Sequence, residues 1–212
     1  MKLSIFACVL SVAVLFGSET NGSKQQIYRN QQDRKQHMSA VTIHALCATG
    51  TISQGSGVAV SGDVILTAKH VVSCGSSSPV IMIVSLHDDT SRLVYLDKIA
   101  KGTTDLATIK IVGGQDPLPF YSNLNKSDLP YKTRLCSIDG LVGAEKCGRV
   151  VDARGNHVIV NVRSIPGNSG SPMFDYKGDV RAIVSMRSVG QDAEFLTFAV
   201  PVNESTLKDL NL

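Results

Sequence analysis

Residues 164–172 read Ser-Ile-Pro-Gly-Asn-Ser-Gly-Ser-Pro and lie between two apolar alternating runs, residues 158–162 and 182–186. A serine between glycines that joins two strands indicates a serine presented on a tight turn. Gly167 lets the backbone adopt positive φ and approach a ligand closely. The amides of Gly167 and Ser169 could then point together at an oxyanion. Because Gly, Ser and Pro also dominate ordinary turns, an ordinary loop is an equally good interpretation of this stretch alone.

Two further stretches supply the groups that such a serine would need. Residues 64–72 read Val-Ile-Leu-Thr-Ala-Lys-His-Val-Val, and residues 104–111 read Thr-Asp-Leu-Ala-Thr-Ile-Lys-Ile. A serine hydroxyl is a weak nucleophile and needs a base, which is most often histidine. The histidine needs a buried acceptor that fixes its tautomer and stabilises its cation. His70, Asp105 and Ser169 fit these three roles, in the order His, Asp, Ser.

These motifs resemble those of trypsin-like serine peptidases, and the resemblance covers roughly residues 41–202. Residues 66–72 and 167–172 are similar to the motifs of secreted bacterial glutamyl endopeptidases. Phe-Ala-Val-Pro at residues 198–201 is similar to both that group and HtrA-type proteases. The order of the three groups is that of the chymotrypsin-type fold. The resemblance implies a serine endopeptidase that works through an acyl-enzyme, with its active site in the cleft between two lobes.

The pattern of the whole chain predicts an all-β fold. Short apolar runs alternate with glycine-rich turns, which is typical of a sandwich or barrel. With the resemblance, we expect two six-stranded-type antiparallel barrels: an N-terminal lobe over residues 41–112, a linker over 113–131 and a C-terminal lobe over 132–202. A short helix is expected over 203–212, with Asn203 as its N-cap. Strands are predicted at residues 41–48, 56–61, 63–67, 79–86, 92–100, 105–112, 132–138, 147–152, 156–164, 178–186 and 194–202.

The first 40 residues are expected to lie outside this domain. A basic start, a mainly apolar run over residues 3–16 and small polar residues after it predict a signal peptide over residues 1–20. The apolar run is shorter than the roughly 20 residues that span a bilayer, although an uncleaved anchor is the alternative. Residues 21–40 are polar and predict a flexible or surface-lying lead-in, or a short pro-segment. His37 in this segment is expected to be solvated.

Cysteine usage fits an exported protein. Cys8 would leave with the signal peptide, and Cys47, Cys74, Cys136 and Cys147 remain. An even set in a secreted chain suggests disulfides, and four cysteines allow three connectivities. Proximity in the sequence favours the pairs 47–74 and 136–147, and free buried thiols are the alternative.

Composition and charge limit the kinds of partner and cofactor that we expect. The chain has 212 residues, is 43% hydrophobic and has a net charge of +3, an ordinary globular composition. It has no basic run with interleaved aromatic residues, so a nucleic-acid partner is unsupported. No Cys and His spacing suggests zinc, and we expect no metal, no cofactor, no stable membrane span after signal removal and a monomer. The expected partner is a protein or peptide substrate.

The resemblance also suggests substrate-binding residues. In trypsin-like folds the residue six before the nucleophile lies at the base of the primary pocket, and here it is Arg163. Ser164 could add a hydroxyl donor, Ser185 lies on a wall strand, and Arg187 just beyond it is a second candidate cation. Together they predict a preference for an acidic residue before the cut. Glutamyl endopeptidases carry a histidine just before the equivalent of Ser185, whereas this chain has Val184.

Several residues have competing interpretations. His44 and His157 lie in strand patterns and are interpreted as structural or surface histidines. Asp97 is the rival acid to Asp105. Asn168 stands where trypsin has the aspartate that pairs with a new N-terminal amine, so the oxyanion loop is expected to form without that ion pair. Two other functions keep the fold: a non-catalytic binding protein, and an esterase-type hydrolase.

Overall fold

The computed structural model describes residues 31–75, 77–86, 91–94, 99–111, 117–140, 143–187, 196–210 and 212. Contacts divide the chain into a unit of residues 1–31 and a compact unit of residues 32–212. The predicted signal peptide and its alternative, a membrane anchor, lie outside the described residues, as does the rival acid Asp97. None of the described helices is long and apolar enough to cross a membrane.

The N-terminal lobe is an antiparallel sheet of seven described strands in the order β5-β4-β1-β2-β3-β7-β6. Its two edge strands, β5 and β6, are neighbours in the sequence. Because they lie at opposite edges of the sheet, they are two separate strands, whereas the sequence predicted one continuous strand over 92–100. Residues 95–98 between them lie outside the described residues. The strands are β1 Ala40–Leu46, β2 Ile52–Ala59, β3 Val64–Thr67, β4 Ile81–Leu86, β5 Ser91–Val94, β6 Ile99–Lys101 and β7 Ala107–Lys110.

The C-terminal lobe is a closed barrel of six strands in the order β10-β13-β12-β11-β8-β9. The strands are β8 Arg134–Ile138, β9 Glu145–Arg154, β10 His157–Val160, β11 Pro172–Phe174, β12 Val180–Arg187 and β13 Thr197–Pro201. The predicted all-β fold of two antiparallel lobes is confirmed. Strand β11 was not predicted, because three residues that begin with proline read as part of the turn before them.

A short helix, Glu204–Leu207, follows the barrel and continues into a 3₁₀ helix, Lys208–Leu210. Asn203 caps it as expected: its side chain accepts from the backbone N–H of Thr206, and the hydroxyl of Thr206 accepts from the N–H of Asn203. This reciprocal arrangement satisfies donors that a helix start leaves free.

Alternating apolar residues build a core that crosses the lobe boundary. Ile43, Ile65 and Leu106 of the first lobe belong to the same buried cluster as Phe174 and Ile183 of the second. Burying side chains of this size contributes about 1.5–3 kcal/mol each. A second cluster fills the barrel itself, with Leu135, Val150, Val158, Val160 and Met173 among its members. The shared cluster therefore ties the two lobes together through apolar packing.

The end of the lead-in differs from expectation. Residues Gln31–Ser39 form a helix, α1, that runs directly into β1. Gln36 and Ser39 are buried, and His37 is only 2% exposed, so the expectation of a solvated histidine was wrong. The Ser39 and Ser122 hydroxyls are 2.8 Å apart and hydrogen-bonded. The sequence did not predict this helix or its burial, because the segment is mostly polar and has no apolar stripe.

Both disulfides that proximity in the sequence favours are present, Cys47–Cys74 and Cys136–Cys147. Cys136 and Cys147 are direct cross-strand partners on β8 and β9. The Cys47–Cys74 bond joins the end of β1 to the segment that follows His70.

Gly170 marks a point where the lobes approach too closely for any side chain. Its φ is +85°, and a Cβ there would collide with the backbone oxygen of Ser56 and the hydroxyl oxygen of Thr67. Both of those groups belong to the N-terminal lobe. Gly155 also has positive φ, +56°, but a Cβ there would meet nothing within 4 Å.

We therefore expect Gly170→Ala to destabilise the protein far more than Gly155→Ala. Both substitutions force a side chain into left-handed backbone, at about 1–2 kcal/mol. Only Gly170→Ala adds an overpacking cost of about 1–3 kcal/mol or more at the lobe contact. Chemical unfolding of the two variants measures the difference. Equal losses of stability would show that the lobes separate at this contact without cost.

We also expect the helix α1 to contribute to stability. Chains that start between residues 23 and 31 keep all its described buried side chains and should melt together. A chain that starts at Ala40 loses the Ser39–Ser122 hydrogen bond and the burial of His37. Its melting temperature should fall by roughly 5 °C, at about 2–4 °C per kcal/mol for a domain of this size. An unchanged melting curve would mean that α1 merely rests on the surface.

Candidate active site

A cavity of about 650 Å³ lies at the boundary between the lobes and brings the predicted triad into one space. His70 and Asp105 reach it from the N-terminal lobe and Ser169 from the C-terminal lobe. Its walls are formed by His70, Asp105, His157, Ser164, Ile165, Pro166, Asn168, Ser169, Val184, Ser185 and Met186.

His70 is held by the 3₁₀ helix Lys69–Val72, which is anchored by the buried Val71 and Val72. Its Nδ1 is 2.8 Å from Oδ2 of Asp105, and its backbone N–H donates to Oδ1 of the same carboxylate at 3.1 Å. Since a carboxylate only accepts, Nδ1 carries the proton and Nε2 is left as the free base. The imidazole is about half exposed, at 48% of its side chain.

Asp105 is fixed as an anion. It lies in the loop before β7, and the Ser185 hydroxyl donates to its Oδ2 at 2.6 Å. Partial burial alone would raise its pKa, but the hydrogen bonds from His70 and Ser185 outweigh that effect and hold the pKa of Asp105 below its usual value. The carboxylate therefore stays charged at neutral pH, and its hydrogen bond to Nδ1 orients the imidazole.

Ser169 lies on the turn between β10 and β11. Its hydroxyl donates to the Ser185 carbonyl at 3.4 Å, a long and weak contact, and in the described part of the chain no hydrogen bond joins it to His70. Such nucleophile–base contacts are often loose without substrate. Giving up the weak bond to Ser185 would cost little when the hydroxyl turns toward the imidazole.

The loop before Ser169 is organised by buried side chains. Gly167 has a φ of +96°. The Asn168 side chain donates from Nδ2 to Asp139 at 2.7 Å and accepts from the N–H of Ile165 at 2.6 Å. Asn168 and Asp139 are 5% and 3% exposed. Asp139, which directly follows β8, is thus an internal partner for Asn168, at the position where trypsin has the aspartate that pairs with a terminal amine.

Ser56 of β2 connects this loop to the N-terminal lobe. Its backbone N–H donates to the Ser169 carbonyl at 2.7 Å, and its hydroxyl donates to the Gly167 carbonyl at 3.1 Å. The same hydroxyl accepts from the N–H of Gly140 at 3.1 Å. Ser56 is fully buried. The sequence does not reveal this role, because a serine between two glycines in a strand looks like any other turn signal.

The predicted substrate-binding residues fall in different places. Ser164 lines the cavity, and Ser185 does so while holding Asp105. Arg163 is exposed and borders a much smaller depression of about 10 Å³ that adjoins the cavity through Ser164. Arg187 ends β12, where it pairs with Thr197, and its side chain is outside the described part of the structure.

His157 is a cavity residue that the sequence analysis assigned to structure or surface. It alternates with Val158 and Val160, which point into the barrel, so its side chain projects from the opposite face of β10. Its ring meets the edge of Phe198, with centroids 6.5 Å apart. The alternation was visible in the sequence, but it could not show that the outer face of β10 borders the cavity.

Among the described residues, one group has ligand atoms close enough to hold a metal ion: Cys136, Glu145 and Cys147. The two sulfurs are joined in a disulfide, so neither is a thiolate ligand. These residues therefore do not fit a metal ion.

Two antiparallel lobes with these groups at their boundary define a peptidase-like fold of the chymotrypsin type. Residues 55–183 match the model of the family described as "Trypsin-like peptidase domain", and the chain belongs to this family.

Individual relatives point to two branches of that family. The chain is 30% identical over 166 residues to a protein of Hahella chejuensis named "Probable periplasmic serine endoprotease DegP-like", with 71% of this chain and 34% of that one covered. It is 27% identical over 195 residues to a glutamyl endopeptidase of Staphylococcus epidermidis, with 77% of this chain and 64% of that one covered. The chain thus spans between a third and two thirds of these relatives.

A solved structure, an HtrA-type protease AlgW with tripeptide, is similar in fold. The TM-score is 0.67 at 20% identity, with 84% of this chain and 60% of that chain covered. At this identity the similarity concerns the arrangement of the strands.

Ser56→Ala provides a test of how the loop that carries Ser169 is positioned. The variant keeps the backbone bond to Ser169 but leaves the Gly140 N–H without its acceptor and frees the Gly167 carbonyl. We expect a stability loss of about 1–3 kcal/mol and a fall in kcat larger than any change in KM. Ser53→Ala, on the same strand but half-buried away from this contact, is the control. A Ser56→Ala enzyme with unchanged kcat would remove the positioning role.

Proposed function

We propose that the protein is a serine endopeptidase in which Ser169 is the nucleophile, His70 the general base and Asp105 the group that orients His70. The observation that carries the proposal is the hydrogen-bonded chain from Ser185 through Asp105 to His70, in the cavity that Ser169 also lines. The partly buried carboxylate of Asp105 accepts from two side-chain donors, and its bond to Nδ1 of His70 selects the tautomer whose Nε2 can accept a proton.

In the proposed reaction, Nε2 of His70 carries the proton between the nucleophile and the leaving group. Nε2 of His70 takes the proton from the Ser169 hydroxyl as Oγ attacks the scissile carbonyl carbon. The resulting imidazolium, stabilised by Asp105, gives that proton to the leaving amine as the C–N bond breaks. Water then attacks the acyl-enzyme, with His70 again acting as base, and releases the carboxylic acid and free Ser169.

The amides of Gly167 and Ser169 are proposed to stabilise the oxyanion. Positive φ at Gly167 and the Asn168–Asp139 bond support a fixed loop geometry. Donors that are already oriented cost no reorganisation during the reaction, and one such donor typically accounts for about 2.7–4 kcal/mol of barrier lowering.

The protein is proposed to be secreted or periplasmic, to act as a monomer and to cut a protein or peptide substrate. The N-terminal sequence predicts a signal peptide, and one relative is named periplasmic. We also propose a preference for an acidic residue before the cut, which the name of the glutamyl endopeptidase relative supports. Arg163 would contribute to it from the rim, because it borders the adjoining depression rather than the main cavity.

Substitution of the triad tests the proposal. Ser169→Ala and His70→Ala should each lower kcat by about 10⁴- to 10⁶-fold with an unchanged melting temperature, because the three groups act as a unit. Ser169→Ala should also abolish labelling by a fluorophosphonate probe.

Ser171→Ala is the matched control, since Ser171 lies two residues away, is fully buried and does not line the cavity. It should retain labelling and cleavage. Labelling that survives in Ser169→Ala would refute the assignment. If the wild type hydrolyses small esters but does not cleave a mixed peptide pool, the esterase alternative is favoured. If it hydrolyses neither esters nor peptides, a binding protein is favoured.

A further inference from the structure

Two polar side chains of the cavity have no hydrogen-bond partner among the described residues. They are Oγ of Ser164 and Nε2 of His157, and both atoms are buried. Ser164 is only 8% exposed as a residue. Most buried polar side-chain atoms in proteins are paired, so two unpaired ones that line the same cavity require an explanation.

The positions of these side chains are fixed, although their polar atoms have no partners. His157 contacts Phe198 at an interplanar angle of 75°, an edge-on arrangement that packs the ring while leaving Nε2 unpaired. Ser164 lies next to the loop that Asn168 holds through Ile165. The Ser164 hydroxyl can turn its hydrogen toward the cavity, and rotation about the Cβ–Cγ bond of His157 can turn Nε2 toward it. Neither rotation breaks a described hydrogen bond.

The surrounding charges decide which ligands fit. Asp105 is the one carboxylate among the cavity-lining residues, and it already accepts from His70 and Ser185. The adjoining depression, which shares Ser164 with the cavity, carries Lys146 and Arg163. Its carboxylate, Asp139, accepts from Asn168. A cationic substrate side chain would therefore meet no open carboxylate in the described lining, whereas an acceptor oxygen would meet donors.

We propose that His157 is a specificity-determining residue of this site. With Ser164 it binds a substrate side chain that ends in a carboxylate or a carboxamide, by donating from Nε2–H and Oγ–H to its side-chain oxygen. The role of His157 as a substrate contact rests on the proposed peptidase function. The apolar walls formed by Ile165, Pro166, Val184 and Met186 would pack the aliphatic part of that side chain.

This assignment adds to the sequence-suggested pocket a histidine on a different strand. Val184 occupies the position where glutamyl endopeptidases carry a histidine, and it is 2% exposed. His157 reaches the cavity from β10 instead, two strands away across β13. The register supports one shared outer face, because Met186 pairs with Phe198, and Phe198 pairs with Ile159, which lies two residues from His157.

The test compares peptides that differ at one position among Glu, Gln, Leu and Lys, scanned through each position before the cut. Wild type should favour Glu and Gln over Leu and Lys at one position. His157→Phe keeps a ring against Phe198 and removes Nε2, so kcat/KM for the Glu and Gln peptides should fall by about 10- to 100-fold, with Leu unchanged. Ser164→Ala should act in the same direction.

His44→Phe is the matched control. His44 is a strand histidine whose Nε2 is bonded to Gln54 at 2.9 Å and which does not line the cavity. It should keep the wild-type preference. A profile in His157→Phe that equals wild type at every scanned position would overturn the inference, even with peptidase activity intact.

Binding separates this inference from the proposed function. Ser169→Ala protein is titrated by calorimetry with peptides that end in Glu, Gln, Leu or Lys, while NMR follows the His157 ring protons. Tighter binding of Glu and Gln with a shift of those protons supports the inference, whether or not wild type cleaves. Equal affinities, or no shift, refute it. Failure of wild type to cleave any peptide refutes the proposed function alone.

Discussion

The backbone contact between Ser56 and Ser169 is the constraint on which the site depends. The two lobes carry different members of the proposed triad, so the geometry of the triad depends on the registration between the lobes. A main-chain hydrogen bond of 2.7 Å, the hydrogen bond from the Ser56 hydroxyl to Gly167 and the close approach of the lobes at Gly170 hold that registration. Reacting groups need accurate registration, because a misplacement of about 1 Å can cost 100-fold in rate.

The charge of Asp105 links this registration to chemistry. Its two side-chain donors come from opposite lobes, His70 from the first and Ser185 from the second. Separation of the lobes would therefore remove a donor and leave a half-buried carboxylate poorly solvated, which is unfavourable. The shared apolar cluster opposes the same separation. Folding stability and the electrostatics of the site thus depend on one interface.

The sequence predicted the fold and the meeting of His70, Asp105 and Ser169 in one cavity. It could do so because each lies in a pattern that short-range physics dictates: alternation for strands, and Gly-Asn-Ser-Gly for a turn. It did not predict β11, whose three residues are too few to show alternation. It did not predict helix α1 either, since that helix is stabilised by contacts such as Ser39–Ser122 with residues 83 positions away. Asp139 and Ser56 were missed for the same reason: their partners are distant in sequence and close only after folding.

The pocket shows why substrate preference is harder to deduce than mechanism. His70 and Asp105 share a hydrogen bond and line one cavity with Ser169, so the three residues of the proposed triad point to one another. A specificity residue must keep its hydrogen-bonding capacity for a ligand, so within the protein it looks unpaired, as His157 and Ser164 do. Leaving a polar group buried and unpaired costs about 1–3 kcal/mol, a cost that selection for stability alone would remove by substituting an apolar residue. Such groups at a cavity wall are therefore better explained by what binds there than by what holds the protein together.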